Sequence, residues 1–395
     1  METIKQAMPV FFRELLVDGQ IDRAMAVARV AVLARRDNWM MTLFLRLKSG
    51  QIWYEAGFTG DGTDFAKWTS LCRRVQAGEF IPILGPDVDE NLYGGMPEVS
   101  RKLAAQHTFP MAMAERSDIA KVLQYLTIYQ DPNFAQNAVQ TELLRQMVDH
   151  CPDLPAGSSG LSLPEVLELI VKQRRNDPDD PYRILSELPA SIYITASPET
   201  ALFKSIRAAD KQPEVLFCNW RPTASNHPTE PQPQGTPASQ TPLVYHVFGT
   251  FASRNSLVLT EDDFFDYLIA MSTYKLMPTV VRGSLMQSSL IFLGFQLDDW
   301  TFRVLFRLIM TLEGCAELRQ YSHVGVQVNP DEHSLADVKR ARLYLEGYFS
   351  RNQNVPIIDI FWGSAREFLK QLRDHLASTS FEKTSTQKGA ANGWF

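Results

Sequence analysis

The chain has few cysteines and no long apolar stretch. Its cysteines lie far apart, at Cys72, Cys151, Cys218 and Cys315, and none forms a C-x-x-C pair. A zinc ribbon needs such pairs, so this kind of site is excluded and we expect no metal. No apolar run is long enough to span a bilayer, and the first residues lack the pattern of a secretory signal. We therefore expect a cytoplasmic protein with reduced thiols and no membrane partner.

An excess of positive charge is also missing. The 395 residues include 39 basic and 45 acidic side chains, which gives a formal net charge of -6. This balance argues against a broad surface for nucleic acid. Hydrophobic residues make up 45% of the chain, which is enough for a large core, and the length predicts two or three modules.

The stretch FIPILGPDVDE, residues 80–90, combines a strand signal with an abrupt break. An apolar run of strand length ends at Gly85 and Pro86, and Asp87 and Asp89 precede an amphipathic run. A strand, a tight turn and a helix form a common phosphate site in α/β sheets. An ordinary strand-to-helix turn explains the same residues equally well, because only one glycine is present and both aspartates oppose a phosphate.

Strand signals alternate with helix signals along most of the chain. Apolar runs of strand length occur at residues 81–84, 191–196, 243–250, 289–295, 324–328 and 356–362. The alternation predicts an α/β fold with a three-layer, Rossmann-like parallel sheet. A helical stretch without strand signal predicts a cap at about residues 110–185, and the proline-rich residues 212–242 predict a surface loop.

The predicted sheet domain covers residues 65–376 and has a further segment on each side. Residues 1–57 are expected to form a small helix/hairpin module, with helical spacing first and strand composition over residues 39–54. Residues 58–64 are Gly-rich and are expected to be the joint. The Ser-, Thr-, Lys- and Gly-rich residues 377–395 predict a flexible tail.

Polar residues follow four of the predicted strands. The four groups are Gly85 to Asp89, Ser197 to Glu199, His246 to Thr250, and Gly294 to Asp299. The carboxyl ends of parallel strands meet at one edge of a sheet, so these groups predict a nucleotide-type pocket. Its candidate binding residues are Gly85, Pro86, Asp87, Asp89, Thr195, Gly249, Gly294 and Asp298. The second group has an alternative interpretation, because Ser197, Pro198 and Glu199 are also typical of a helix N-terminus.

Several motifs occur in a characteristic order over residues 65–376. They are ILGPDVDE, YITASPETALF, VYHVFGT followed by SLVLTEDDFFDYL, FLGFQLDDW and IFWGSAREFLKQL. This order resembles the SIR2-like family, the sirtuin-related domains of bacterial antiphage systems. The family has a Gly-Ala-Gly-x-Ser loop at the first motif, Thr-Thr-Asn-Tyr-Asp at the second and a His-Gly pair at the third. The resemblance implies NAD as substrate or ligand.

The resemblance implies His246, Ser197 and Glu199 as catalytic candidates, each with a departure from the family. Phe248 stands at the position of the family's catalytic histidine, and His246 lies two residues earlier. Side chains at i and i+2 share one face of a strand, so His246 is predicted to point the same way as Phe248. Ser197 replaces an asparagine and Glu199 an aspartate. Phenylalanine cannot polarise a ribose hydroxyl or water, as cleavage of the nicotinamide bond requires.

Two functions follow from this resemblance. The first is a catalytically degenerate SIR2-like module of an antiphage system, which binds NAD or a related nucleotide or acts as a scaffold or sensor. The alternative is an active NAD+ hydrolase that depletes NAD. Both imply a homo-oligomer or a partner defence protein.

A second resemblance concerns residues 1–57. The run DGQIDRAMAVARVAVLARRDNWMMTLFLRLKSGQIWY resembles the closing part of CHAT domains, the caspase-like modules of bacterial conflict systems. The part that carries the family's His and Cys dyad would lie upstream, so no peptidase chemistry is implied. We expect either a remnant used for packing or docking, or a gene that was split or whose start is misplaced.

Overall fold

The fold is given by a computed structural model. It describes residues 2–18, 21–35, 37, 65, 67–155, 157–222, 227–295, 300–310, 312, 323–327, 340, 343–344, 346–348 and 358–390. The strands are β1 (Phe80–Leu84), β2 (Ile192–Thr195), β3 (Glu214–Phe217), β4 (Leu243–His246), β5 (Ser289–Phe295), β6 (His323–Gln327) and β7 (Ile358–Trp362). They form one sheet of seven parallel strands in the order β3-β4-β2-β1-β5-β6-β7. The prediction of a Rossmann-like α/β sheet is confirmed.

Helices precede, separate and follow these strands along the chain. Before β2 they are α1 (Glu2–Asp18), α2 (Ile21–Ala31), α3 (Trp68–Ala77), α4 (Glu90–Tyr93), α5 (Met96–Gln106), α6 (Ile119–Tyr129), α7 (Pro132–His150), α8 (Leu163–Arg174) and α9 (Pro181–Glu187). After β2 they are α10 (Ala201–Ala208), α11 (Glu261–Tyr274), α12 (Thr279–Met286), α13 (Trp300–Met310) and α14 (Ala365–Ala390). Helices α6 to α9 occupy the stretch that was predicted to form a cap. Within the described ranges, no helix combines the length and the apolar character that a bilayer crossing needs.

The central strands are buried on both faces. Every residue of β1, β2, β4 and β5 is buried, as expected for parallel strands covered by helices on each side. Successive side chains point to opposite faces, so Leu84 and Tyr193 join the core beneath the cap helices. Ile83 and Ile194 join the core on the other face, with α11 to α13. The two cores hold the carboxyl ends of β2, β1 and β5 side by side.

The topology reverses at β1. The chain continues from β1 to β2 on one side and reaches β5 only later, on the other side. Such a switch point leaves a crevice at the carboxyl ends of the strands, where ligands of α/β proteins gather. The loop after β1 therefore meets the carboxyl end of β5 at the place where a nucleotide phosphate was predicted.

Three local predictions are corrected by the structure. Strand β3 lies within the predicted loop 212–242; it is a short strand at the sheet edge, where no continuous apolar run is required. The helix after β2 begins at Ala201 with Thr200 as its N-cap, so Ser197 does not cap it. The amphipathic run that begins at Leu92 is two helices, α4 and α5, because Gly94 and Gly95 interrupt it with φ of 78° and 84°.

The N-terminal helices form a small core of their own. Helices α1 and α2 pack against each other around Phe11, Leu15, Ala24, Ala28 and Val32. The predicted hairpin at residues 39–54 and the joint at residues 58–64 lie outside the described residues. Helix α14 continues to Ala390, and the flexibility of residues 377–395 stays a prediction.

Candidate functional site

A cavity of about 210 Å³ opens at the carboxyl ends of the central strands. It is lined by Asp87 after β1, Pro198 after β2, Phe248 after β4, and Asp118 and Leu123 of the cap, together with neighbouring residues. We call it the strand-end cavity. The structure thus brings three of the four predicted loop groups to one place. Asp298, the remaining candidate from the fourth group, lies outside the described residues.

The turn after β1 packs backbone against backbone with the carboxyl end of β5. The amide of Gly85 donates to the carbonyl of Leu293 at 2.7 Å, and the amide of Asp87 donates to the carbonyl of Gly294 at 3.2 Å. Gly294 has φ of 72°, and a Cβ there would overlap the backbone of Val88. These close backbone contacts explain why positions 85 and 294 are glycine. Their role in ligand binding stays a prediction.

Asp87 caps the N-terminus of α5. Its Oδ1 accepts a hydrogen bond from the backbone N–H of Met96 at 2.6 Å. Gly95, the N-cap residue, has no side chain to make this bond, so a carboxylate from the preceding turn replaces it. Pro86 contributes its carbonyl oxygen, which accepts a hydrogen bond from the Tyr93 hydroxyl. The turn that was predicted to hold phosphate is bonded to the helices that follow it.

Asp89 lies in a buried ionic cluster away from the cavity. Its side chain is 1% exposed and pairs with the guanidinium of Arg174, which comes from α8. Arg366 of α14 lies 3.8 Å away, and the amide of Asn91 donates to Asp89 at 3.2 Å. Asp180 lies 3.7 Å from Arg174. Asp89 therefore ties the loop after β1 to the cap and to α14.

Glu199 belongs to the loop after β2, and its side chain is buried. Its Oε2 accepts the backbone N–H of Ala201, and its Oε1 accepts the Tyr182 hydroxyl at 3.4 Å. Burial raises the pKa of Glu199 because it disfavours the charged carboxylate. Thr195 accepts the amide of Ser197 at 3.1 Å. The Ser197 hydroxyl is buried and interacts with Glu199, which lowers the pKa of that carboxyl in opposition to burial.

His246 is 1% exposed at the end of β4. Its Nδ1 lies 3.0 Å from the carbonyl oxygen of Ser197. A carbonyl only accepts, so Nδ1 carries the proton and Nε2 has a lone pair. Within the described part of the chain, Nε2 is buried without a partner. Burial lowers the pKa of His246 to about 4, so the imidazole is neutral at pH 7.

Phe248 packs against α11. Strand β4 ends at His246, so the period of two that predicted a shared direction does not extend to Phe248. The Phe248 ring makes edge contacts with Phe264 at 5.1 Å and with Tyr267 at 5.7 Å between ring centroids. Gly249, with φ of 82°, lets the chain turn where a Cβ would overlap the carbonyl of Ser256. The position that the resemblance assigns to a catalytic histidine is part of an aromatic cluster.

The candidate catalytic residues are therefore close to one another but withdrawn from the cavity. His246, Ser197 and Glu199 are each 5% exposed or less, and none of them lines the strand-end cavity. The His246 lone pair is able to accept a proton, but nothing places it beside a ligand. Among the residues that the structure describes, no group of His, Cys, Asp and Glu side chains is arranged to hold a metal ion.

Three residues that hold these groups in place carry no signal in the local sequence. Tyr93, Tyr182 and Arg174 come from helices before β2, and each bonds a residue of a strand-end loop. Nothing in their local sequence marks them, because their partners are up to 85 positions away. Asp118, which begins α6 and lines the cavity, had a local signal as an aspartate before an apolar helix.

Comparison with known proteins agrees with this architecture. Residues 193–352 match the family model of the SIR2-like domain. The chain is also 30% identical over 118 residues to the NAD(+) hydrolase ThsA of Enterococcus faecium, a match that covers 30% of this chain and 22% of that protein. Both matches support a relationship to the SIR2-like family. The chain spans about a fifth of the length of this curated relative. The CHAT resemblance of residues 1–57 stays a prediction.

Proposed function

We propose that the protein is a SIR2-like module of a bacterial antiphage system that has lost NAD cleavage and acts as a sensor or scaffold. The SIR2-like match over residues 193–352 supports the family, and the resemblance of the motifs supports the defence setting. NAD or a related nucleotide is the first ligand to test, since the similar protein from Enterococcus faecium is named an NAD(+) hydrolase.

The packing of Phe248 carries this proposal. Its ring is 3% exposed and contacts both Phe264 and Tyr267, so it supports the core at the place where the family has a proton-handling imidazole. His246 does not replace that group, because its Nδ1 bonds the Ser197 carbonyl and its ring is buried. Loss of a general acid or base typically slows an enzyme by about 10²–10⁴-fold.

The residues of the strand-end cavity do not fit the pyrophosphate of NAD. Asp87 and Asp118 are acidic, and within the described part of the chain the lining contains no lysine, arginine or histidine. The carboxylate of Asp87 already bonds the N-terminus of α5, which is where a phosphate gains most from a helix. The volume of about 210 Å³ is also below the range of about 300–1,000 Å³ that small-molecule sites usually have.

An active NAD+ hydrolase is the second candidate. It is favoured by the printed activity of the similar protein, which shares 30% identity over 118 residues. In that case His246 would act through its lone pair at Nε2, and Glu199 would assist. Such a mechanism needs the loops after β2 and β4 to open, because both side chains are buried.

Incubation of the full-length protein with NAD, followed by chromatography for nicotinamide and ADP-ribose, separates the two functions. We expect turnover at background in the wild type and in His246→Ala and Glu199→Gln. Release of nicotinamide by the wild type that disappears in either variant would establish the hydrolase instead.

We propose a cytoplasmic protein that works as a homo-oligomer or beside a partner defence protein. The exposed Ile4 and Phe12 of α1, Val30 of α2 and Leu33 just after α2 are compatible with docking of the N-terminal module. Light scattering of the full chain with and without residues 1–57 tests this proposal, which requires the oligomer to be lost on truncation.

A further inference from the structure

The walls of the strand-end cavity include the first residues of two helices. Helix α5 begins with Met96 and Pro97, and α6 begins with Ile119 and Ala120; all four residues line the cavity. The free N–H groups and the partial positive charge at such helix ends normally favour an anion. An unoccupied pair of helix N-termini would therefore suit a phosphorylated ligand.

Both helix ends are instead occupied by carboxylates of the chain itself. Asp87 accepts the N–H of Met96 at 2.6 Å. Asp118 accepts the N–H groups of Ala120 at 3.1 Å and Lys121 at 3.3 Å. The Lys121 ammonium group lies 3.4 Å from Glu115 and 4.0 Å from Asp118, and Lys121 is not part of the lining. A phosphate in the cavity would be repelled by two carboxylates. It would not find free N–H groups at either helix N-terminus, because these carboxylates already accept them.

The rest of the lining is mostly apolar. Phe248 and Phe264 meet edge to face, and the aliphatic side chains of Leu123, Val139 and Val258 complete this part of the wall. An apolar cavity of about 150 Å³ is known to hold benzene, so a cavity of about 210 Å³ accommodates one substituted ring. Aromatic walls prefer such rings, and they also attract cations.

We propose that the strand-end cavity binds an uncharged or cationic single-ring compound and excludes phosphorylated ligands, with Asp87 and Asp118 acting as internal substitutes for phosphate. The proposal rests on the proposed function, since it assigns the ligand class of a pocket that recognises rather than cleaves. Asp87 and Asp118 are then specificity-determining residues. They select against anionic ligands because their carboxylates occupy the helix N-termini that would otherwise bind an anion.

The test uses the full-length protein and matched one-ring probes. Phenol is the uncharged probe, phenyl phosphate is the anionic probe, and methyl phenyl sulfone is an uncharged tetrahedral control for size. Binding is measured by saturation-transfer NMR and calorimetric titration, with NAD added as a competitor. We expect phenol and the sulfone to bind, phenyl phosphate to bind at least about tenfold more weakly, and NAD not to displace phenol.

Two substitutions locate the effect in the cavity. Asp87→Asn keeps an acceptor oxygen for Met96 but removes the charge, so the affinity for phenyl phosphate relative to that for phenol should rise about tenfold. The matched control is Asp131→Asn. Asp131 is the N-cap residue of α7, its carboxylate accepts the Phe134 amide at 2.9 Å, and it lies outside the cavity. Leu259→Trp fills part of the cavity and should abolish phenol binding, with thermal unfolding as the check of folding.

The outcomes separate this inference from the proposed function. Equal binding of phenyl phosphate and the sulfone, displacement of phenol by NAD, or no binding of phenol would each overturn the assigned ligand class. Equal gains in Asp87→Asn and Asp131→Asn would overturn the role of Asp87. Release of nicotinamide from NAD would instead refute the loss of catalysis, and it is measured independently of ring binding.

Discussion

Replacing His246 by asparagine should change the pH dependence of folding stability. The His246 ring is 1% exposed, and its Nδ1–H donates to the Ser197 carbonyl at 3.0 Å. An asparagine amide N–H is able to make the same bond, because it extends about as far from the backbone as Nδ1. His246→Asn therefore keeps the donor and removes the group that titrates.

The magnitude follows from the pKa of His246. Burial lowers this pKa from 6.5 to about 4 in the folded protein. Between these two values the unfolded chain binds a proton that the folded protein does not bind, so the free energy of unfolding decreases as the pH decreases. One unit of pKa corresponds to about 1.4 kcal/mol, so the full difference is about 3 kcal/mol. The loss begins near pH 6.5 and is complete below about pH 4.

The measurement is denaturant unfolding of both proteins from pH 7 to pH 4. The wild type should lose up to about 3 kcal/mol more than His246→Asn over this range. Carboxyl groups elsewhere, including Glu199, titrate in both proteins, so the difference between the two curves isolates His246. Parallel curves would refute the reasoning. An NMR titration of the His246 ring with a midpoint near 6.5 would contradict it as well.

Further predictions concern packing and charge around the strand ends. Gly294→Ala should lower the free energy of unfolding by more than about 1 kcal/mol because its Cβ overlaps the Val88 backbone, whereas Gly283→Ala, in an open helical position, should raise it by about 0.5–1 kcal/mol. Arg174→Gln should cost about 3 kcal/mol in denaturant unfolding, because it leaves the buried Asp89 with a weaker partner, and a second change, Asp89→Asn, should recover part of this loss. Phe248→His should cost about 2 kcal/mol or more and should produce no release of nicotinamide, as measured by chromatography.

The strands of the sheet were predictable where complete burial requires an uninterrupted apolar run in the sequence. Strands β1, β2, β4 and β5 are buried over their whole length, so each is an apolar run with turn residues after it. Strand β3 gave no such signal, because Glu214, Val215 and Phe217 are only half-buried at the sheet edge. The convergence of the loops after β1, β2 and β4 followed from parallel topology alone.

The bonding of the site was not predictable from local sequence. The sequence placed Asp87 near a ligand phosphate, but its carboxylate bonds Met96, nine positions further along the chain. It placed His246 and Phe248 on one face, but the strand ends between them. The partner of Glu199 is Tyr182, whose position depends on how the cap packs on the sheet. Hydrophobic periodicity and secondary-structure propensity predict the direction of a side chain within one helix or strand. These hydrogen bonds depend instead on how several helices and strands pack together.

The departures from the SIR2-like motifs are structurally consistent with one another. Phe248 is held by Phe264 and Tyr267, so a histidine there would bury a polar ring against two aromatic faces. Asp87 occupies the helix end that a pyrophosphate would use, and it would stay there after a change at Phe248. Each substitution is bonded to or packed against a different neighbour, so reverting one leaves the others in place. Under the proposed function, recovery of NAD cleavage requires coordinated changes in the loops after β1 and β4. A single reversion therefore tests the packing of this sheet edge more directly than its catalytic potential.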